Sequence, residues 1–131
     1  MATTLVSTGI TFPDNTTQTT AAVAAAGTLK AWVNFNGTGT VAIRASGNVS
    51  SITDNGTGAY TINFTASLSD GNYSVLLTAQ AWRQTAYNDC GTLNGTVEDG
   101  TTPAIGSVRT TWGAYNESNR DPTYAYAAIF R

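Results

Sequence analysis

The sequence predicts an all-β fold: an antiparallel β-sandwich over residues 29–131, preceded by a short attachment segment over residues 1–28. Three observations predict it. Turn signals recur about every ten residues, as is typical of sandwiches and barrels. Tyr60, Ile62 and Phe64 alternate with polar neighbours, as in a strand with one buried face. Thr, Ser and Asn supply about a third of the chain, and Thr suits a pleated, half-exposed strand.

The N-terminal segment differs from the rest because its one charged side chain is Asp14. Ile10 and Phe12 lie in a short strand-like stretch, and the Ala-rich piece around Val23 has the composition of a helix. An isolated helix of that length is marginal in water, so contact with other copies would have to stabilise it. A flexible linker is the alternative. We expect Ile10, Phe12 and Val23 to serve attachment and oligomerisation, in a helical or an extended conformation.

The next elements form a meander of short strands. Residues 32–35, 41–44 and 49–52 are strand-like runs, the first two separated by a Gly-Thr-Gly turn. The sequence Asp-Asn-Gly at residues 54–56 signals a hairpin, since these residues readily adopt positive φ. The run over residues 73–82 is apolar on both faces around its Val-Leu-Leu centre. We therefore expect it to be the longest strand and to lie in the middle of a sheet.

The C-terminal part is less regular. Residues 84–102 are predicted to form a long loop or a short hairpin, and residues 107–112 a strand. Residues 113–122 are polar and loop-like. Residues 124–130 predict a closing strand, whose apolar end indicates that it docks in the sheet.

Charge and hydropathy exclude two classes of partner. Charged residues make up 11% of the chain, the net charge is −2, and the six cationic residues are scattered. No basic cluster could neutralise phosphates, so we expect no nucleic-acid partner. No apolar run reaches the length of a membrane span, so we expect no membrane insertion. The first nine residues lack the basic start and apolar centre of a signal peptide, which predicts assembly in a cytoplasm.

The residue inventory also argues against an enzyme. The chain has no His, which excludes Ser-His-Asp and Cys-His triads and His-based metal sites. Cys90 stands alone, so it cannot form an intrachain disulfide. The adjacent carboxylates Glu98 and Asp99 precede a turn Gly, as in a solvated hairpin tip. We expect no catalytic residue, no metal and no cofactor; a carbohydrate-active enzyme with a carboxylate pair is the less favoured alternative.

Four sequence phrases carry a resemblance to a known family. They are AWVNF (residues 31–35), GTGTVAIRAS (37–46), VSSITDNGTG (49–58) and YTINF (60–64), and GITFPDNTTQTTA (9–21) precedes them. Together they resemble segments of bacteriophage tail-fibre proteins, with the upstream phrase similar to the linker before a terminal domain. The resemblance implies a homotrimeric virion protein of the tail. Its N-terminus would attach to other tail or baseplate proteins, and its tip would contact a host receptor. A capsid decoration or head-fibre protein is the alternative.

The unmatched part of the chain, from about residue 79, is where receptor specificity is free to differ. It contains Trp, Tyr, Asn and Arg side chains, whose aromatic faces and polar donors suit a surface glycan or a protein receptor. We expect loops held on a rigid sheet to carry the binding site. The residues predicted to bind the receptor are Trp82, Arg83, Tyr87, Arg109, Trp112, Tyr115 and Arg120. The competing interpretation is that the aromatic residues belong to the core or to a subunit interface.

Overall fold

The computed structural model describes residues 10–11, 13, 17–18, 27–80, 82–83, 90–91, 94–98, 103–113 and 119–131. Within these ranges the chain forms strands and no helix. The strands are β1 (Ile10–Thr11), β2 (Thr17–Gln18), β3 (Leu29–Asn36), β4 (Ala42–Gly47), β5 (Val49–Asp54), β6 (Ala59–Phe64), β7 (Ser74–Ala79), β8 (Trp82–Arg83), β9 (Cys90–Gly91), β10 (Asn94–Val97), β11 (Ser107–Gly113) and β12 (Ala125–Phe130). The described part of the chain therefore offers no helix that could cross a membrane.

Eight of these strands form two four-stranded sheets in which every neighbouring pair is antiparallel. Sheet I has the order β4-β3-β12-β7, and sheet II has the order β5-β6-β11-β10. Edge strands β4 and β5 contact each other along one side of the molecule, and β7 and β10 contact each other along the other. The predicted antiparallel β-sandwich is confirmed. The short strands β1 and β2 pair separately, as do β8 and β9.

The core lies between the sheets and is built from the alternating side chains of their central strands. Its buried apolar members on these strands are Ala31, Val33, Phe35, Tyr60, Ile62, Phe64, Val108, Trp112, Ala125, Ala127 and Ile129. The rings of Phe35, Tyr60 and Trp112 pack edge to face, with centroids 5.2–5.6 Å apart. Edge-to-face contacts of this kind add stability beyond the buried area. The prediction that Tyr60, Ile62 and Phe64 share one buried face of their strand is confirmed.

The antiparallel arrangement places the described strand connections at two opposite ends of the sandwich. The proximal end is where the chain enters β3 at Leu29 and where β12 finishes at Phe130. It also holds residues 65–73 and 103–106. The distal end holds residues 37–41, 55–58 and 119–124, and there the chain leaves β7 and β11. The molecule thus has a polarity, with the N-terminal segment joining at one end and most C-terminal loops starting at the other.

Asn48 ties the two sheets together at the proximal end. It occupies the crossing from β4 to β5 with a left-handed backbone (φ 55°), which Asn tolerates better than most residues. Its Nδ2 donates to the carbonyl oxygens of Lys30 in sheet I and Ala66 beyond sheet II, each at 3.1 Å. Its Oδ1 accepts from the Ala66 N–H at 2.8 Å. One amide side chain therefore fixes the corner.

The C-terminal residue is also fixed at the proximal end. The Arg131 guanidinium forms a two-pronged contact with Asp70, at 3.0 Å from Nε and 2.6 Å from Nη2. This contact, together with the Asn72 N–H bound to Asp70, lowers the pKa of the Asp70 carboxyl. The Arg131 N–H donates to the Thr28 carbonyl oxygen at 3.1 Å. Both ends of residues 28–131 are consequently held beside each other.

Two sequence-based expectations need correction. The run over residues 73–82 yields β7, which has six residues, ends at Ala79 and lies at the edge of sheet I. The longest strand is β3, with eight residues. The run was expected to be central because both of its faces are apolar. One of these faces is exposed, however, since Leu76 points outward and is 59% exposed. The N-terminal segment, for which helical and extended conformations were both left open, contains strand β2 at Thr17–Gln18, and residues 19–26 lie outside the described residues.

Candidate binding surface at the distal end

A partly buried hydrogen-bond cluster organises the distal end. The Tyr60 hydroxyl lies 2.7 Å from Asp121 Oδ1 and 3.0 Å from the Gly37 carbonyl oxygen, so its proton is shared between two loops. Asp121 Oδ1 also accepts from the Gly58 N–H at 2.7 Å. Burial, reinforced by the neighbouring Asp121 carboxylate, raises the pKa of Tyr60 far above its usual range. The phenol therefore stays protonated, and β6 is joined to loops 37–41 and 119–124.

Gly58 is required in this cluster for two reasons. Its φ of +65° is unfavourable for residues that carry a Cβ. A Cβ at this position would also lie 2.4 Å from the Trp112 carbonyl oxygen. The Gly58 carbonyl oxygen accepts from the Trp112 N–H, and the Trp112 carbonyl oxygen accepts from the Arg120 N–H. Close backbone approach thus fixes the chain at Arg120 against the end of β11.

The loop after β3 is held open by Asn36. Its Nδ2 donates to the carbonyl oxygens of Thr38 and Thr40, at 2.6 and 3.2 Å, and its Oδ1 accepts from the Thr38 hydroxyl at 2.9 Å. The Asn36 side chain thereby forms hydrogen bonds with the loop that follows it, as Asn side chains commonly do in turns. The loop projects three exposed residues, Thr38, Gly39 and Thr40, on a supported base.

An arginine–tyrosine stack lies at the margin of the distal end. The Arg44 guanidinium carbon is 3.9 Å from the Tyr124 ring centroid, and Nη1 donates to the Thr123 carbonyl oxygen at 2.7 Å. On the same strand face, the rings of Tyr124 and Tyr126 are nearly parallel, with centroids 6.4 Å apart. A cation placed over an aromatic face is held electrostatically. The stacked side chains of Arg44, Tyr124 and Tyr126 therefore extend from the distal end onto the outer face of sheet I.

The exposed groups of the distal end are hydroxyls, amides and one carboxylate. The exposed side chains on its described loops are Thr38, Thr40, Asn55, Thr57, Asn119, Asp121 and Thr123. Such groups can exchange hydrogen bonds with the hydroxyls of a sugar. The described residues contain no cluster of three His, Cys, Asp or Glu side chains that could hold a metal ion.

The structure separates the seven predicted receptor residues. Trp82 and Arg83 form β8, in the segment that leaves β7 at the distal end, and Arg120 lies on the distal loop before β12. Tyr87 and Tyr115 lie outside the described residues. Three of the seven, Trp82, Arg83 and Arg120, therefore belong to connections that start or lie there.

The other two predicted receptor residues lie elsewhere. Trp112 is 0% exposed and packs in the core against Phe35 and Tyr60, so its assignment to receptor contact is corrected. The side chains of β11 alternate between the core and the outer face, and the side chain at position 112 is one of those that point into the core. Arg109 lies on the outer face of sheet II, where it forms an ion pair with Glu98. It does not join the distal group.

The predicted attachment residues are placed less fully. Ile10 belongs to β1, opposite Gln18 of β2. Phe12 and Val23 lie outside the described residues. The prediction that the three serve attachment and oligomerisation stays a prediction.

The structure also shows a second surface that was not predicted from the sequence. Three large apolar side chains are exposed on the outer face of sheet I, namely Trp32 (38%), Leu76 (59%) and Tyr126 (37%), and Leu29 (49%) is exposed at the start of β3. We refer to this group as the apolar face. Strand β12 carries the signal that could have revealed it, since both alternating sets of its side chains are apolar or aromatic.

Comparison with known proteins adds no relative: no family model matches the chain, and neither a curated protein nor a solved structure does.

Proposed function

We propose that this chain is a bacteriophage tail-fibre protein that attaches to the particle through its N-terminal segment and adheres to a host-surface glycan through its distal loops. The protein acts as a homotrimer assembled in the host cytoplasm, and its N-terminal partners are other tail or baseplate proteins. The proposal rests on the sequence phrases described above, which resemble tail-fibre segments, and on the polarity of the sandwich.

The polarity is the observation that carries the proposal. The chain enters the sandwich at Leu29, at the proximal end, directly after the segment predicted to attach. The connections that hold Trp82, Arg83 and Arg120 start or lie at the opposite end. A protein that attaches to a particle at one end and to a cell at the other needs its two binding regions to lie at opposite ends. Loops on a rigid scaffold are also where binding sites concentrate.

The chemistry of the distal end supports a glycan as the receptor. Its described exposed side chains are mostly neutral hydroxyls and amides, which can form hydrogen bonds with sugar hydroxyls without a large desolvation cost. The aromatic candidates Trp82, Tyr87 and Tyr115 would supply flat apolar faces. Three weak sites presented by one trimer would gain affinity through avidity.

Cell binding tests this proposal. Fluorescently labelled protein is titrated onto intact host cells, and bound protein is measured by flow cytometry. Trp82→Ala and Tyr115→Ala are compared with Ile105→Ala, a matched control because Ile105 is 51% exposed at the proximal end. We expect each distal substitution to weaken binding about tenfold or more, as the loss of a hot-spot aromatic would. Ile105→Ala should bind like the parent.

Two further measurements make the result decisive. Thermal melts must show that all three variants remain folded. Periodate, which oxidises sugar diols, should abolish binding when it is applied to the cells, whereas protease treatment of the cells should leave binding intact. If folded distal variants bind as well as the parent, the assignment of the receptor site fails. Binding that is lost only after protease treatment would contradict the glycan receptor.

A further inference from the structure

The chain contains three Asn-Gly pairs, at residues 36–37, 55–56 and 94–95. An Asn that precedes Gly can lose its side-chain amide without an enzyme. The backbone nitrogen of the Gly attacks Cγ of the Asn and closes a succinimide ring, and the amide NH2 leaves as ammonia with the proton that the Gly nitrogen has lost. Water then opens the ring to Asp or isoaspartate. Gly favours the reaction because it has no Cβ to hinder the attack.

The reaction requires freedom that a fold can withhold. The Gly nitrogen must approach the Asn side chain, which takes local rotation of the backbone, and the Asn amide must leave its hydrogen bonds. A site that is fixed in the fold reacts only when it opens locally, so its rate falls with the population of the open state. The space around each Gly and the bonds to each Asn therefore decide which pair reacts.

The pair Asn36-Gly37 is held firmly. The Gly37 N–H donates to the Pro122 carbonyl oxygen at 2.8 Å, which joins two distal loops. A Cβ at Gly37 would lie 2.5 Å from the Tyr60 hydroxyl, so the backbone has little room to rotate. The Asn36 amide also donates two hydrogen bonds within the loop that follows it. Attack by the Gly37 nitrogen would have to break these contacts.

The pair Asn94-Gly95 is held by strand pairing. It lies in β10, where Gly95 is opposite Trp112 of β11. A Cβ at Gly95 would lie 2.5 Å from the Leu77 Cβ and 2.8 Å from the Trp112 indole Nε1. Rotation of the backbone at this position would therefore require β10 to separate from its neighbours.

The pair Asn55-Gly56 lies in the open turn between β5 and β6. Both residues are exposed, and a Cβ at Gly56 would meet no atom within 4 Å beyond its chain neighbours. The Gly56 N–H bonds within the turn, to Asp54 Oδ1 at 2.9 Å. The backbone bonds that close the turn use the Asn55 N–H and the Gly56 carbonyl oxygen, so they leave the Gly56 nitrogen out. Asn55 Nδ2 donates to the Thr61 hydroxyl at 2.8 Å.

We propose that Asn55 is a site of spontaneous deamidation in the folded protein, whereas the fold protects Asn36 and Asn94. The product is Asp or isoaspartate, which adds one negative charge to the net charge of −2. The new carboxylate lies beside Asp54 at the distal end, and it replaces the N–H donors of the amide with an acceptor. The distal end therefore changes chemically as the protein ages. This inference does not depend on the proposed function.

Peptide mapping of the full chain by mass spectrometry tests the proposal. Folded protein is incubated in mildly alkaline buffer, sampled over several weeks and digested, and the amide and acid forms of each Asn-Gly peptide are quantified. We expect Asn55 to react at least about tenfold faster than Asn36 or Asn94, because those two sites must first open. A parallel incubation in concentrated guanidinium chloride removes the fold, and there the three rates should be similar. Circular dichroism confirms both states.

Two variants test the role of the hydrogen bond on the Asn55 amide. Thr61→Val removes the acceptor of Asn55 Nδ2 with little change of shape. It should speed the reaction at Asn55 about two- to tenfold, the effect of losing one hydrogen bond. Thr65→Val is the matched control, because Thr65 is exposed at the proximal end, and it should react like the parent. Thermal melts confirm that both variants are folded.

The outcomes decide the proposal. It is overturned if Asn36 or Asn94 reacts as fast as Asn55 in the folded chain. It is equally overturned if folding slows the reaction at Asn55 as much as at the other two sites. If Thr61→Val reacts no faster than Thr65→Val, the Thr61 hydroxyl does not restrain the amide, and that part of the account is wrong.

Discussion

Replacing Trp112 with Ala is expected to lower the free energy of unfolding by about 3–5 kcal/mol, the usual cost of removing a large buried aromatic side chain. Trp112 is 0% exposed and forms edge-to-face contacts with both Phe35 and Tyr60 in the core. The substitution would leave a cavity between the sheets next to Phe35 and Tyr60. A thermal melt should show the midpoint falling by roughly 10–20 °C.

Trp112→Phe is the matched control. It keeps a ring against Phe35 and Tyr60, and it removes a buried indole N–H for which the described residues offer no hydrogen-bond acceptor. Its loss of stability should be well under half that of Trp112→Ala. An Ala variant that melts like the parent but fails to bind cells would contradict the core assignment and restore Trp112 as a receptor residue.

Replacing Asn48 with Ala is expected to cost about 2–4 kcal/mol of unfolding free energy. The change removes three hydrogen bonds between the sheets, each contributing about 0.5–1.5 kcal/mol. It also puts a residue without a stabilising side chain in the left-handed region at φ 55°. Denaturant unfolding measures the change as a lower midpoint with an unchanged slope.

Asn48→Gly separates the two contributions. Glycine accepts the left-handed backbone but loses the same hydrogen bonds, so it should be more stable than Asn48→Ala by about 1 kcal/mol. Equal stability of the Ala variant and the parent would mean that Asn48 does not hold the corner.

Local patterns in the sequence predicted much of the fold. The turn at residues 54–56 and the alternation from Tyr60 to Phe64 depend on neighbouring residues, and both are confirmed. The position of β7 depends instead on which strand pairs with β12. Because the Val-Leu-Leu run at residues 75–77 is apolar in both phases, no local signal shows that Leu76 faces outward. Gly47-Asn48 does carry a signal for a positive φ that the sequence analysis did not use.

The candidate site was predictable only in outline. The sequence indicates that specificity lies in the C-terminal loops, but burial of Trp112 and pairing of Arg109 with Glu98 depend on the position of β11 between β6 and β10. The apolar face draws on β3, β7 and β12, which are distant in sequence. Tyr126 and Ala128 are the signal for this face in the sequence, because they make the outward-facing set of β12 side chains apolar as well as the inward-facing set.

Imaging of the intact particle shows directly whether one end of the sandwich attaches to the particle while the other faces the host. We expect three copies in the tail, with residue 27 facing the particle and residues 119–124 pointing outward. Copies spread over the capsid lattice, or a tail fibre whose residues 119–124 face the particle, would contradict it.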